Sequence, residues 1–475
     1  MPWGKLNRPL ATLVLGTSLA LCMATGCAKK EPIVEPEPVQ PGAVRIEGRR
    51  VLWSTDRPAR ASVRYGFLPP SGSPPRFTFD HMAYPDAAGR ADRAFTRDHT
   101  VALLGLQVGQ KVYFQTVNEV AGAAVAYGAP DSFEATAGTP HALLTSTMIH
   151  IGFGDSHLLT MPTTGKRLLI DCGYRDAEQS VDSYLAEHGI TALDAMLATH
   201  VHEDHLGGIV GSRNTDADGL VNDLPPAVFF DSPVKSTSAV GKPAYQELLR
   251  SIPAGSSRLI LERGDSSADT PGLALDSEVF ILCLNSGTPP GYVPDGYEGT
   301  DINNESIVLH FTYGDVDFVI GGDTETASEA NMLAAWPAST LEVEYFKATH
   351  HGLPDANSAA WINTLKPRVA FIPNTRFVWD PPCDFAGAIA STEGKLLGIG
   401  AHVYVIDAAP SLDRVRPATC TQSGPQYNVT FATDGQSYEV RLETARQIVP
   451  TVTAQSFSCV QHALHAHTGG AQPGF

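Results

Sequence analysis

Residues 200–205 have the sequence His-Val-His-Glu-Asp-His, and this run constrains the chain more than any other segment. It directly follows the apolar stretch 193–199, whose composition predicts a buried strand. Alternate side chains of an extended chain face the same way, so His200 and His202 can converge on one cation. Once the chain turns, Asp204 and His205 can face a second cation, since paired catalytic metals lie about 3.5–4 Å apart. The run therefore predicts a two-metal site at the end of a strand.

Two later segments add donors of the same kind. The strand-like residues 316–321 lead into Gly322 and Asp323, and the glycines allow this acidic side chain to approach a ligand closely. We expect Asp323 to bridge the two metals. Residues 343–349 form another predicted strand, which ends in His350 and His351, a pair that can close the second site. Imidazole and carboxylate donors together favour two divalent cations, most simply zinc, with manganese as the alternative.

The run His200 through His205 resembles the His-x-His-x-Asp-His motif of the metallo-β-lactamase superfamily. Four further segments are similar to one branch of it, the hydrolase domain of competence (DNA-uptake, ComEC-type) proteins, and these segments are 152–156, 168–173, 303–309 and 347–352. The likeness extends over about residues 143–377. It implies an α/β fold of the αββα sandwich type and a metal-dependent hydrolase that uses a metal-bound hydroxide.

The resemblance also implies roles for individual side chains. Relatives carry Ser-His-Gly where this chain has His350 and His351, which favours His351 as the metal ligand and His350 as its supporting neighbour, although the reverse order stays open. Asp171 is expected to fix a ligand histidine. Three side chains could contact substrate, although ordinary roles in turns and strands are favoured for them, and these are Asn303, Asn304 and Lys347.

One departure from the wider superfamily concerns the first cation. Many of its enzymes carry a further histidine between the first motif and the bridging aspartate, and His310 lies in that interval but inside a predicted strand. We therefore expect His200 and His202 to hold a weakly bound cation with an open position for water. Asp204 and Asp323 are the predicted catalytic carboxylates, because Asp204 can also orient the attacking water or accept its proton.

The first 26 residues have the pattern of an export signal, with Lys5 and Arg8 before an apolar core of residues 10–21. A core of this length is too short to cross a membrane, which needs about 20 residues. The ending Ala24-Thr25-Gly26-Cys27 resembles a bacterial lipobox, so we expect lipidation of Cys27 and tethering to a membrane, the outer one in a diderm bacterium. The alternative is a plain secretory signal.

The remaining chain divides into four predicted parts. Residues 27–42 form a Pro/Glu-rich linker, and residues 43–138 show short alternating strands that resemble a fibronectin type III β-sandwich, for which we expect a spacer role. Residues 139–445 form the hydrolase domain, and residues 446–475 a solvated tail. In an exported protein, two of three cysteines could form a disulfide, and these are Cys383, Cys420 and Cys459.

The net charge of −18 argues against tight, sequence-independent binding to a polyanion through a basic surface. The leading hypothesis is a membrane-tethered extracytoplasmic phosphodiesterase, with nucleic acid as the first substrate to test. A hydrolase of envelope phosphoesters or lactones is the second hypothesis, and the acidic balance favours it slightly. The third is a surface binding or scaffold protein that keeps the fold without turnover.

Overall fold

The computed structural model describes residues 39–120, 124–152, 154–211, 219–233, 242–289, 291, 302–373, 385–406 and 427–445. Several predicted features lie outside these residues, namely the export signal, Cys27, most of the linker, the tail, and the cysteines at 383, 420 and 459. Within them, Cys172 and Cys283 are free, buried thiols. No helix of the described part combines the length and apolar composition needed to span a bilayer.

The strands fall into an N-terminal group, a middle group and a late group along the chain. The first seven are β1 Arg45–Glu47, β2 Arg50–Gly66, β3 His81–Ala83, β4 Thr96–Ala102, β5 Lys111–Glu119, β6 Ala126–Tyr127 and β7 Asp131–Glu134. The next six are β8 Leu144–Met148, β9 His157–Thr160, β10 Arg167–Ile170, β11 Ala195–Leu197, β12 Val228–Asp231 and β13 Ser257–Ile260. The remaining strands are β14 Val279–Asn285, β15 Val308–Tyr313, β16 Val316–Gly321, β17 Tyr345–Lys347, β18 Val369–Ile372, β19 His402–Val405, β20 Tyr427–Thr433 and β21 Tyr438–Thr444.

Among the described residues, the α-helices follow the N-terminal strands. They are α1 Glu178–Glu187, α2 Glu203–Val210, α3 Leu220–Asp223, α4 Pro243–Ser251, α5 Thr326–Ala335, α6 Ala338–Leu341, α7 Ala359–Leu365 and α8 Phe385–Gly398. Short 3₁₀ turns occupy Ala88–Arg93, Arg175–Ala177, Pro271–Leu273 and His350–Gly352.

Two sheets pack face to face in the region after residue 138. The first has the strand order β13-β12-β11-β10-β9-β8-β20-β21, and the second has the order β14-β15-β16-β17-β18-β19. Because strand side chains alternate between faces, Leu168 of β10 and Phe318 of β16 point into the shared core between the sheets. Leu169 points the other way, toward α1, α2 and α4, and Val319 points toward α5, α7 and α8. These four layers confirm the predicted αββα fold.

The N-terminal β region, residues 43–138, is joined to the hydrolase region by its backbone. Strand β3 is paired antiparallel with β21, with Met82 opposite Val440, so the first sheet continues into this region. The region also has its own apolar core, which includes Trp53, Tyr65 and Phe114. The expected spacer role is therefore wrong, because a strand shared through hydrogen bonds cannot be held away from the domain it completes. The resemblance to fibronectin type III domains stays a prediction.

Buried charges cross the same interface. The guanidinium of Arg368, only 1% exposed, lies 3.3 Å from both carboxylate oxygens of Glu119 at the end of β5. The ring of His402 contacts the same carboxylate through Nε2. Farther along, Arg90 and Arg93 reach the carboxylate of Glu344, which is fully buried just before β17. Such pairs are costly to break, because removing one partner leaves an uncompensated charge in the interior.

Replacing Glu119 by alanine should lower the free energy of unfolding of the whole described unit by about 3–5 kcal/mol, because Arg368 would stay buried without its carboxylate. Denaturant titration of the full chain measures this change. The matched control is Glu134→Ala on the exposed end of β7, for which a change within about 0.5 kcal/mol is expected. Equal stabilities of the two variants would contradict an obligatory interface.

Candidate metal centre

The candidate site lies where strands of both sheets end. Strands β10 and β11 are parallel, and Asp171 and His200 follow their carboxyl ends. Strands β16 and β17 of the other sheet are also parallel, and Asp323 and His350 follow their ends. Because parallel strands finish at the same edge of a sheet, the fold gathers these polar residues at one edge of the sandwich. The long loops that such connections require give the side chains room to converge.

The run at 200–205 supplies four of the donors, three of them histidines. His200 Nε2 lies 3.0 Å from His202 Nδ1, so the two imidazoles converge as the alternation of an extended chain predicts. His202 then precedes helix α2 in extended conformation, and the backbone N–H of His205 donates to its carbonyl. The start of the helix therefore turns His205 toward a neighbouring position, separate from the one that His200 and His202 share.

The second donor group consists of His205, His351, Asp204 and Asp323. His351 Nε2 lies 3.2 Å from Asp204 Oδ2 and 3.2 Å from Asp323 Oδ2. His205 Nε2 lies 3.2 Å from the same oxygen of Asp323 and 3.9 Å from Asp204 Oδ2. Two atoms bound to one zinc ion at about 2.0–2.1 Å each can be at most about 4.2 Å apart, so these donors can share a cation.

Asp323 stands between the two donor groups. Its Oδ2 oxygen lies 3.2 Å from His205 Nε2 on one side and 4.0 Å from His200 Nε2 on the other. Its other oxygen, Oδ1, is buried and makes no hydrogen bond among the described residues, and the same is true of His205 Nε2. Buried polar atoms without partners are unfavourable, and a bound cation would satisfy both. The donor set therefore fits divalent metals such as zinc or manganese.

Two further carboxylates orient the histidines of the second group. Asp171 Oδ2 lies 2.8 Å from His205 Nδ1 and also accepts from the hydroxyl of Thr199, which is the role the sequence analysis anticipated for it. Asp155 Oδ1 lies 3.1 Å from His351 Nδ1. Because a carboxylate can only accept, each Nδ1 carries the proton and each Nε2 faces the centre. Carboxylates in this position fix the ring and strengthen it as a metal ligand.

Asp155 is the site residue that the sequence analysis missed. It follows a glycine in the loop after β8, in the same Gly-Asp arrangement that drew attention to Asp323 after β16. Its ligand atom also lies within 4.8 Å of those of His205, Asp323 and His351. The sequence signal was present, but one Gly-Asp pair among 43 glycines is too weak to select without knowing which loops meet.

Lys347 and Asn304 have structural roles. The ammonium of Lys347 is fully buried, contacts Asp155 and donates to the carbonyl of Gly321 at 2.7 Å, so it is not placed to contact substrate. The Asn304 amide oxygen accepts from two backbone N–H groups at the start of α5, which makes it a helix cap. His310 lies 3.8 Å from Asp317 at the start of β16, at the opposite end of that strand from Asp323.

Asn303 and His350 border the centre. The amide of Asn303 donates to Glu325 at 2.9 Å and lies 3.4 Å from His350 Nε2. Both His350 and His351 have left-handed backbone conformations, with φ of 47° and 51°. These conformations are unusual for non-glycine residues and cluster at functional sites. With this strained backbone, two consecutive imidazoles both point toward Asp323.

The ionisation of the site follows from this crowding. Burial alone would lower the pKa values of His205 and His351, but Asp323 and the carboxylates behind them raise both well above the usual histidine value. Burial lowers the pKa of His202 to about 4, so that ring stays neutral. Without a cation, protons on His205 and His351 thus balance the carboxylates. A divalent metal would have to displace these protons.

Metal binding should therefore release protons, and its affinity should fall as the pH falls, because cations and protons compete for His205 and His351. Isothermal titration of the chelator-treated protein with Zn²⁺ in two buffers of different ionisation enthalpy measures the release. The apparent binding enthalpies should differ between the buffers, with a sign that shows protons passing to the buffer. Identical enthalpies in both buffers would contradict this charge balance.

The comparisons with known proteins agree with the site. A family model described as the metallo-β-lactamase superfamily matches residues 151–280. ComE operon protein 3 of Bacillus subtilis (strain 168) is 24% identical over 243 residues, which cover 47% of this chain and 27% of that protein. The chain thus spans little more than a quarter of the length of this relative.

Among solved structures, an isothiocyanate hydrolase from Delia radicum gut bacteria has 12% identity and a TM-score of 0.35, covering 58% of this chain and 100% of that one. A metallo-β-lactamase from Cronobacter sakazakii has 13% identity and a TM-score of 0.27, covering 42% and 76%. Scores this low carry no argument about the fold. The four-layer architecture and the donor set agree with the match of residues 151–280 to the metallo-β-lactamase superfamily.

Proposed function

We propose that the chain is a metal-dependent hydrolase that cleaves phosphodiesters, with nucleic acid as the first substrate to test. The observation that carries this proposal is the sharing of one Asp323 oxygen by two groups of donors, His200 with His202 and His205 with His351. Paired cations can stabilise both the attacking and the leaving oxygen of a displacement at phosphorus. The similarity to ComE operon protein 3 and the motifs shared with competence proteins support the same choice.

The side chains of the centre have separate tasks in this proposal. Divalent cations, when bound, would supply Lewis acidity and lower the pKa of a water molecule. Asp204 is the most open carboxylate of the centre, with a side chain 14% exposed against 3% for Asp323. It is therefore the carboxylate best placed to accept the proton of the attacking water. Asp171 and Asp155 keep His205 and His351 in one orientation throughout.

The net charge supports a second candidate substrate class. A chain with a net charge of −18 repels a long polyanion unless a local groove is basic. Envelope phosphoesters or lactones would need no such groove, because the reacting group alone has to enter the site. The same donors would serve either chemistry, so the two substrate classes have to be distinguished with a panel of substrates.

Purified protein with Zn²⁺ or Mn²⁺ should hydrolyse bis-p-nitrophenyl phosphate, and His202→Ala should lower kcat/KM at least about 100-fold, since the loss of a metal ligand removes transition-state stabilisation. The matched control is His141→Ala, which removes an exposed imidazole outside the centre and should leave the rate unchanged. Equal rates for wild type and His202→Ala would overturn the proposal. Hydrolysis of a lactone or phosphomonoester panel, with no diesterase activity, would favour the second class instead.

We also propose that the protein is exported and tethered to a membrane through lipid on Cys27. The support is the sequence pattern alone, an apolar core followed by Ala24-Thr25-Gly26-Cys27. A tether would place the hydrolase at an envelope surface, where both nucleic acid and envelope phosphoesters occur. The rest of the proposed function does not depend on this anchor.

Replacing Cys27 by serine should move the protein from the membrane fraction to the soluble fraction, because lipidation requires the thiol. Fractionation of expressing cells, followed by immunoblotting, measures the distribution. The matched control is Cys22→Ser, which changes the cysteine directly after the apolar core and should leave the protein with the membrane. A Cys27→Ser protein that stays membrane-bound would contradict lipid tethering.

A further inference from the structure

The imidazoles around Asp323 share an arrangement that extends to His350, which the sequence analysis expected only to support its neighbour His351. In the second donor group, each histidine faces a carboxylate with Nδ1 and the centre with Nε2, as His205 does with Asp171 and His351 with Asp155. His350 also has a carboxylate beside Nδ1, at ion-pair distance. Its Nδ1 lies 2.9 Å from Asp355 Oδ1, and its Nε2 lies 3.9 Å from Asp323 Oδ2.

The His350 ring points toward the shared oxygen of Asp323, as the His200 ring does. Its Nε2 approaches the same Asp323 oxygen that His200 Nε2 approaches at 4.0 Å. Each of these histidines is therefore close enough to Asp323 to bind the same zinc ion as that carboxylate, because two donors on one zinc ion are at most about 4.2 Å apart. His350 is also 95% buried, so the ring is committed to this pocket rather than to solvent.

Two acidic side chains hold the other edge of the ring. Asp355 lies at ion-pair distance from Nδ1, and Glu325 Oε1 lies 3.9 Å from the same nitrogen. Glu325 is in turn fixed by the amide of Asn303. A chain of carboxylate and amide behind a histidine is the support that metal-ligating histidines have in proteins. It would have no comparable purpose behind a ring that only fills space.

The backbone of this turn supports the same conclusion. His350 has φ of 47°, and its N–H donates to the carbonyl of Gly322, the residue before Asp323. That bond holds the strained turn against the loop that carries the shared carboxylate. Strain of this kind is unfavourable and persists where the position of a side chain matters.

We propose that His350 is the third imidazole ligand of the cation that His200 and His202 hold, oriented by Asp355 and Glu325. The first cation then has three imidazoles and the shared Asp323, which corrects the expectation of a site with two histidines and weak binding. The tandem histidines divide between the metals, His351 on the second and His350 on the first. The proposal depends on metal binding and not on which substrate is hydrolysed.

Metal titration of the full chain tests this assignment. The chelator-treated protein is titrated with Co²⁺, whose visible absorption reports ligand number and type, and with Zn²⁺ by calorimetry. Wild type should bind two cations. His350→Ala should keep one binding step and weaken the other more than about 10-fold, the least effect expected for loss of orienting support alone.

A double-variant comparison identifies which cation is affected. His200→Ala already removes a ligand of the first cation, so the binding step that remains is that of the second cation. Adding His350→Ala should change the affinity of this step little. Adding it to His351→Ala, which disables the other site, should weaken both steps. If His350→Ala weakened cation binding by the same factor with and without His200→Ala, the assignment would be overturned. Two binding steps of wild-type affinity in His350→Ala would overturn it as well.

Asp355→Asn keeps the test independent of folding, because it preserves the size of the side chain while removing the orienting charge. It should weaken the same binding step about 10- to 100-fold and alter the Co²⁺ absorption. Asp182→Asn on the exposed side of α1 is the matched control and should leave both steps unchanged. Binding of three cations by wild type, with the third lost in Asp355→Asn, would instead assign Glu325, His350 and Asp355 to a separate metal site and overturn the proposal.

These outcomes are distinguishable from failure of the proposed function. If the protein binds two cations and needs His350 for one of them, but cleaves no phosphodiester, the proposed activity is wrong and the ligand assignment stands. If the protein cleaves phosphodiesters and His350→Ala leaves metal binding unchanged, the proposed activity stands and the ligand assignment is wrong.

Discussion

The centre depends on one carboxylate, Asp323, because a single oxygen of this side chain is approached by imidazoles from both donor groups. Several carboxylates and imidazoles are buried together here, and such a group is unfavourable unless its charges are balanced. Protons on His205 and His351 provide that balance in the absence of a cation. Divalent metals would provide it better, since each also satisfies lone pairs that otherwise lack partners.

The position of Asp323 is in turn a property of the whole sandwich. Strand β17 illustrates this, because the chain just before it is held by Arg90 and Arg93 from the N-terminal β region, while the turn after it carries His350 and His351. The N-terminal region therefore anchors one end of an element whose other end supplies ligands. Together with the pairing of β3 and β21, this makes the region a part of the hydrolase unit rather than an attachment.

Much of the site could be predicted from local sequence, since His200, His202, Asp204 and His205 occupy six consecutive positions whose geometry follows from a strand that turns into a helix. Supporting residues were harder to assign. Asp155, Asp355 and Glu325 belong to three different loops, and nothing in their spacing shows that these loops meet. For Lys347, the sequence left substrate contact open beside an ordinary role in a strand. The fold decides between them, because it buries the ammonium against Asp155.

The sequence by itself determined the types of candidate metal donors and the carboxylate that would join them, and its motifs carried the resemblance that predicted the four-layer sandwich. Those properties are local, because they depend on residue types and on spacings of a few positions. The tertiary structure alone decided which carboxylate stands behind each histidine, where the ring of His350 points, and how the N-terminal strands complete the first sheet. These contacts join residues far apart in the chain, and only the packing of the two sheets brings them within bonding distance.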